Sequence, residues 1–558
     1  MKRKCRFVSV AVAGLALQVG AMEWTLPAGE DRLAIPHDQA YDFPEGFRAT
    51  IRFSCDFTKI RPGRFANLVT KGSDYDRGWS LMLRQDGWLL VNLAGLESGK
   101  AYHLSSLGLQ SDREYALTVI VRPGETRVFV DGVEKGSYRY RGSRDFSRSA
   151  GPLQIGTMGG YRFFGRLHSV KLESVASLSD LPPPLEPLPE YRLEPPAEQA
   201  AAHILWTRSV WAPPDRYVGW PTVCRLKNGT ILAVFSGDRE GHVCPWGKIQ
   251  MVRSEDDGET WSAAQTIANG PVDDRDAGVM ELPNGEVLVT YFTSIYYRNL
   301  LKGAVSPSDP KFAWKRHDEK IPEDVWRSAL GYFAVRSSDG GRTWGVPVRL
   351  DVKGNTPHAP ALCADGTLFA LLYRSGGGMP EGRRDVFGWR SADGGRIWTC
   401  VGGPVSDPAR ENAVADGYNE PAVVECADGS LLGLIRYHHG DCHLRQTRST
   451  DGGKTWSVAE RTPMLGYPAH LLRLPDGTLV CSYGRRAEDD YGEHACLSHD
   501  NGRTWEVENE ILLARGFGPD LGYPSTCLCR DGALLTVYYQ QPAPGRLCAL
   551  MATKWRLR

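Results

Sequence analysis

No excess of charge of either sign marks this chain. Lys+Arg and Asp+Glu stand at 66 each in 558 residues, which excludes a whole-chain field that would recruit nucleic acid or an acidic membrane. Any recognition of an anion must therefore be local. Long apolar runs are equally scarce: the run from Phe7 to Val19 is too short to cross a bilayer, and no later stretch approaches the roughly 20 apolar residues of a spanning helix. No transmembrane segment is expected. Lys2, Arg3, Lys4 and Arg6 precede that early run, and Gly20 and Ala21 follow it. This pattern predicts a cleavable signal over residues 1–21 and a secreted or periplasmic protein. The 13 cysteines lack the close pairing of a zinc site, and none follows the apolar run where a lipid anchor would need one. Most are expected to fill strands as small apolar residues. Neither a metal nor another cofactor is expected.

What the chain does have is alternation. Over residues 22–177, runs such as FRATIRFSCDF and YALTVIVRPGETRVFVDGV switch between apolar and polar residues and are separated by Gly, Asp and Asn turns. They predict antiparallel strands folded as a β-sandwich. The order of these phrases, ending in GYRFFGRL, resembles the laminin-G or concanavalin-like jelly roll, whose members bind glycans or act as spacers. Seven prolines then stiffen residues 178–202 into an extended linker.

From residue 203 to 558 the sequence repeats. One phrase recurs six times, beginning at Pro221, Ala277, His358, Pro421, Pro468 and Pro524: an apolar strand, an Asn-Gly or Asp-Gly type turn, and a second apolar strand. After five of these hairpins comes a second phrase, SEDDGETW, SSDGGRTW, SADGGRIW, STDGGKTW and SHDNGRTW, broken only by Ile397. It is similar to the Asp-box, a structural turn in which Ser and Asp tie the backbone and Trp packs between strands. Six units of about 50 residues closing into a ring would leave no exposed sheet edge. The fold class expected is thus all-β, a six-bladed β-propeller preceded by a sandwich, with HILWTRSV completing the last blade.

Six blades with repeated Asp-boxes resemble the sialidase superfamily. Counting nine residues back from each turn glycine gives Trp220, Asp276, Pro357, Glu420 and Tyr523, with Tyr467 from the fifth unit, which is one residue longer. Glu420 and Tyr523 hold equivalent places two units apart and can face each other across the axis. The resemblance implies Tyr523 as nucleophile and Glu420 as the base that takes its proton. A sialoside bears a carboxylate beside its anomeric carbon, so an anionic nucleophile would be repelled and a neutral phenol is not. The substrate carboxylate needs guanidinium partners. Arg436, sixteen residues after Glu420, matches one arm of the family's clamp, and Arg485 another, with Arg486 as its substitute.

Two positions depart from the family. Gly219 stands where its first arginine is found, leaving Arg239 as the leading replacement, ahead of Arg275 and Arg216. The family's acidic aspartate is also missing from GHVCPWGK; His242, Glu240 or Asp276 would protonate the leaving oxygen, and Asp276 would alternatively bind substrate hydroxyls or pair with Arg275. The implied protein is a secreted exo-glycoside hydrolase releasing sialic acid or a related acidic sugar, with retention, from sialylated or other acidic glycans such as mucin-type glycoconjugates. The alternatives are a non-catalytic glycan-binding propeller, and a hydrolase or lyase acting on another anionic sugar.

Overall fold

The computed structural model describes residues from 21 onward, apart from 27–31, 37–42, 73–77, 140–150, 183–188, 302–308, 376–383, 406–417, 438–440 and a few shorter stretches. The expected signal therefore lies almost wholly outside the described residues. The chain divides into two compact units, Met1–Glu186 and Pro187–Arg558. Both are built from antiparallel strands, and among the described residues no sheet closes on itself as a barrel.

Among the described residues, the first unit contains two six-stranded sheets and one two-stranded sheet. Strand Phe47–Cys55 alternates buried and partly exposed residues along its length, as a strand with one covered face must. Phe47 of one sheet stacks on Trp79 of the other with ring centroids 4.3 Å apart, so the apolar faces meet.

Among the described residues, the second unit contains six sheets. Five are four-stranded, with strands in chain order: sheet one runs Tyr217–Arg225, Ile231–Arg239, Lys248–Ser254 and Gln265–Ala268, and sheet two begins at Asp273–Glu281. Sheets three, four and five begin at Ala361–Leu362, Tyr418–Glu425 and Ala469–Arg473. Sheet six starts at Gly522–Leu528 and is completed by the segment before sheet one: Ala202–Trp211 pairs with the last strand, Ala549–Leu557. Within the proline-rich stretch, Arg192–Leu193 is an extended strand that joins the edge of that sheet by pairing with Arg208 and Thr207.

Apolar clusters lie between consecutive sheets. Val223 and Trp261 pack with Leu535 and Val537 between sheets one and six, and Leu474 and Val480 pack with Leu534 and Trp555 between five and six. The first strands converge on one cavity, to which each sheet contributes, through Thr222, Val279, Ala361, Pro421, Leu471 and Thr526.

All five Ser-x-Asp turns have the predicted construction. In the first, Ser254 Oγ donates to Asp256 at 2.8 Å and accepts from the Gly258 amide at 2.9 Å, while the Trp261 indole donates to Gly258 O at 3.0 Å. Ile397, exposed where the other turns place threonine, still donates its backbone N–H to Asp393 at 2.9 Å. The side-chain hydroxyl is thus dispensable to the turn. Sheet two carries an insertion that no strand periodicity announces, with helices Phe312–Asp318 and Glu323–Ala329 between its second and third strands.

Candidate active site

Four first strands share one irregularity. Pairing with the second strand slips between Gly219 and Thr222, Arg275 and Gly278, Asn419 and Ala422, and Gly522 and Ser525. Within those bulges sit Trp220, Asp276, Glu420 and Tyr523, with φ of +53°, +49°, +41° and +52°. Bulky side chains avoid this left-handed region, so its occupation by Trp220, Glu420 and Tyr523 is strain the surrounding sheets must hold. A bulge re-aims the side chain it carries.

Two of those side chains meet. The Tyr523 hydroxyl donates to Glu420 Oε1 at 2.6 Å, although 103 residues separate them. Arg436, paired in register with Asn419, donates from Nη1 to Glu420 Oε2 at 2.5 Å and lies 3.4 Å from Tyr523 Oη. Burial alone would raise the Glu420 pKa, but the Arg436 charge and the Tyr523 hydroxyl outweigh it and hold the carboxyl below its ordinary range. The stability this contributes is present above the unfolded value near 4.5 and is lost as pH falls through the lower folded value. Burial and the Glu420 charge push Tyr523 well above the usual phenol value. At rest the pair is a carboxylate accepting from a neutral phenol.

Arg485 and Arg486 are neighbours on one strand and so face opposite ways. Arg485 donates to Glu510 at 2.5 Å and to Asp490 at 3.0 Å, away from Tyr523. Arg486 points toward it: its Cζ lies 5.9 Å from the Tyr523 ring centre and 5.4 Å from that of Tyr467, and its Nε donates to Leu521 O at 2.9 Å. The same Tyr467 ring carries the Arg436 guanidinium at 4.3 Å. The order of preference read from the sequence is therefore reversed.

Arg239 is closed off. Its side chain has no exposed surface; both Nη atoms engage the Asp273 carboxylate, and it also donates to Ser236 Oγ and to the carbonyls of Gly241 and His242. A guanidinium so satisfied has no donor left for a substrate. Arg275 is different. It lies over the Trp220 ring at 3.9 Å, keeps only a 3.7 Å approach to Asp273 and a 4.0 Å approach to Asp276, and its buried Nε has no hydrogen-bond partner. Arg216 pairs at the surface with Asp238, 3.1 Å away. Glu240 accepts from the Trp314 indole of the helical insertion at 2.6 Å and is committed there.

Asp276 is buried with Oδ1 unsatisfied. Burial pushes its carboxyl up to about 7, against the Arg275 guanidinium and with help from the Glu420 charge. The folded protein thus keeps a proton that the unfolded chain releases, and wild-type stability falls as pH rises from about 4 to 7. Asp276→Asn is expected to remove this slope, so that its stability relative to wild type rises by roughly 2–3 kcal/mol between pH 5 and pH 8. Urea midpoints at the two pH values measure it.

His242 lies on the rim, with about half of its side chain exposed. Its Nδ1 is 3.0 Å from Asp520 Oδ1 and 3.1 Å from Tyr217 Oη. Asp520 also accepts from the hydroxyls of Tyr217 and Tyr539, at 3.0 and 3.1 Å. Burial raises the Asp520 pKa, but His242 and the two phenols more than offset it, and the carboxyl lies below its ordinary value. Asp520, Tyr217 and Tyr539 were not singled out by sequence reasoning. The one local signal was an acidic residue three positions before Tyr523.

Residues 319–536 match the family described as BNR repeat-like domain. A sialidase of Bacteroides fragilis (strain YCH46) is 23% identical over 53% of this chain and 55% of its own length. A sialidase of Clostridium perfringens is 22% identical over 54% of this chain and 65% of its own. The chain thus spans between half and two thirds of the length of these two sialidases. Among solved structures, one from Dyadobacter fermentans, titled as a protein of unknown function, superposes with a TM-score of 0.52 at 23% identity, covering 64% of this chain and 99% of that one. The sequence matches are consistent with the sialidase superfamily.

Proposed function

We propose that the chain is a secreted exo-acting hydrolase of sialidase type, with the six sheets forming one propeller, and that it releases a terminal acidic sugar through a tyrosyl intermediate. The observation that carries this reading is the 2.6 Å contact between Tyr523 and Glu420, presented from two sheets at strained, equivalent positions. A binding surface gains nothing from aiming a phenol at a carboxylate kept ionised for it. In the first step Tyr523 Oη bonds to the anomeric carbon as its proton passes to Glu420 Oε1, and the bond to the leaving oxygen breaks. In the second, water attacks the same carbon, the tyrosyl bond breaks and the proton returns from Glu420 to the phenol. Because Tyr523 is neutral at rest, proton transfer and bond formation proceed together.

Arg436 and Arg486 both approach the Tyr467 ring and supply two arms for the sugar carboxylate. Arg275 supplies the third. Trp220 occupies the wall beside Gly219 and holds that guanidinium on its face. Asp276, buried and within reach of the Glu420 charge, would bind a substrate hydroxyl through its unsatisfied Oδ1.

The test is release of free sialic acid from sialyllactose, with Arg486→Met and Arg485→Met in parallel. Losing a charge-assisted hydrogen bond costs about 1.5–3 kcal/mol, so Arg486→Met is expected to raise KM by on the order of 10–100-fold. Arg485→Met is expected to change KM less than about threefold, because its charge is spent on Glu510 and Asp490. The reverse order would reassign the clamp, and no release by wild type from any acidic glycoside would remove the hydrolase reading.

A further inference from the structure

The tyrosine and its base account for one face of the anomeric carbon. The opposite face needs a proton donor, because a sugar alkoxide is too basic to leave unaided. We infer that this donor is His242, held in place by Asp520; the inference rests on the hydrolase reading above.

Three observations converge on it. First, Nδ1 is spoken for: it donates to Asp520 Oδ1 at 3.0 Å, with Tyr217 Oη 3.1 Å away, which leaves Nε2 as the nitrogen able to carry the exchangeable proton. Second, Asp520 is fixed as an ionised acceptor by the hydroxyls of Tyr217 and Tyr539, and a fixed carboxylate behind an imidazole sets its orientation. Third, the placement suits a leaving group that must reach solvent. The imidazole stands edge-on to Trp220 with centroids 5.0 Å apart, and Trp220 stands 6.4 Å from the Tyr523 ring, so one indole separates donor from nucleophile. The His242 side chain is 48% exposed. Asp276 fails on this last count, because its carboxyl is buried.

The step balances without a further reagent. As the anomeric bond breaks, its electron pair stays on the leaving oxygen, which takes the Nε2 proton, and the imidazole becomes neutral. In the second step the attacking water gives its proton to Nε2, restoring the donor. Asp520 touches no reacting atom and acts as a positioning residue.

The experiment compares sialyllactose, whose leaving sugar needs a proton, with a 4-nitrophenyl sialoside, whose leaving phenolate needs almost none. It uses the full chain as wild type, His242→Gln, Asp520→Asn and Asp276→Asn. Loss of a general acid costs about 10²–10⁴-fold, so His242→Gln is expected to lose at least about 100-fold in kcat on sialyllactose and less than about tenfold on the aryl substrate. Asp520→Asn is expected to show the same contrast at smaller size, which a merely structural role would not produce. Equal losses on both substrates, or the contrast appearing in Asp276→Asn instead, overturns the assignment while leaving Tyr523 and Glu420 in their roles. Wild type inactive on both substrates removes the hydrolase reading and this inference with it.

Discussion

Tyr523→Phe is expected to lower sialic acid release from sialyllactose by at least about 10³-fold, the scale on which enzymes lose rate when a covalent nucleophile is removed. The substitution deletes one oxygen and keeps the ring, whose contacts with Trp220 at 6.4 Å and Tyr539 at 5.9 Å are unaffected. Glu420 loses one donor and keeps Arg436 at 2.5 Å, so no unpaired buried charge is created. The fold is accordingly expected to hold, with the Tm within a few degrees of wild type. A variant that is folded but inactive isolates the phenol oxygen as the reacting group. Glu420→Gln tests the other half of the pair: a neutral amide cannot take the proton, and it also leaves the Arg436 guanidinium without its carboxylate, so activity and stability should fall together. If Tyr523→Phe retains activity within about tenfold, the pair is a structural hydrogen bond and the covalent route is wrong; if activity persists but the product is unsaturated, the chemistry is elimination from another anionic sugar.

The sheets of the second unit were legible because their signals are local. A turn glycine such as Gly429, with φ of +80°, fixes a hairpin by its own backbone freedom, and each Ser-x-Asp turn closes within five residues. Counting back from those glycines reached Trp220, Asp276, Glu420 and Tyr523 because the bulges recur at one register in four first strands. What could not be read is which distant group each long side chain finds. Arg239 looked available for a ligand, yet Asp273 at the head of the next sheet claims it. Arg485 and Arg486 were ranked by resemblance, whereas strand alternation decides that only one of them faces Tyr523. The pairing of His242 with Asp520 spans 278 residues and joins sheet one to the approach of sheet six, a meeting that no local pattern announces. The helical insertion escaped for another reason: it obeys neither the hairpin nor the turn pattern, so no repeat marks it.

Arg239 carries the largest stability prediction. Its side chain and that of Asp273 are 0% and 2% exposed, so the pair has no water to fall back on. Replacing Arg239 by methionine keeps the stem and removes the charge, stranding Asp273 with only Arg275 at 3.7 Å. Breaking a buried pair from one side costs about 3–5 kcal/mol, and a loss of that order is expected in urea or guanidinium unfolding. Adding Asp273→Leu is expected to recover a large part of it, since the uncompensated charge is then gone. The single substitution should also lower activity, by a route that involves no substrate contact: Arg239 donates to the carbonyls of Gly241 and His242, at 3.2 and 3.1 Å, and so anchors the loop that carries the proposed proton donor. The double variant separates the two effects, because it restores the fold without restoring that anchor. Stability recovered with kcat on sialyllactose still depressed would show Arg239 holding the loop, whereas a rise in KM without loss of stability in Arg239→Met would return it to the carboxylate clamp.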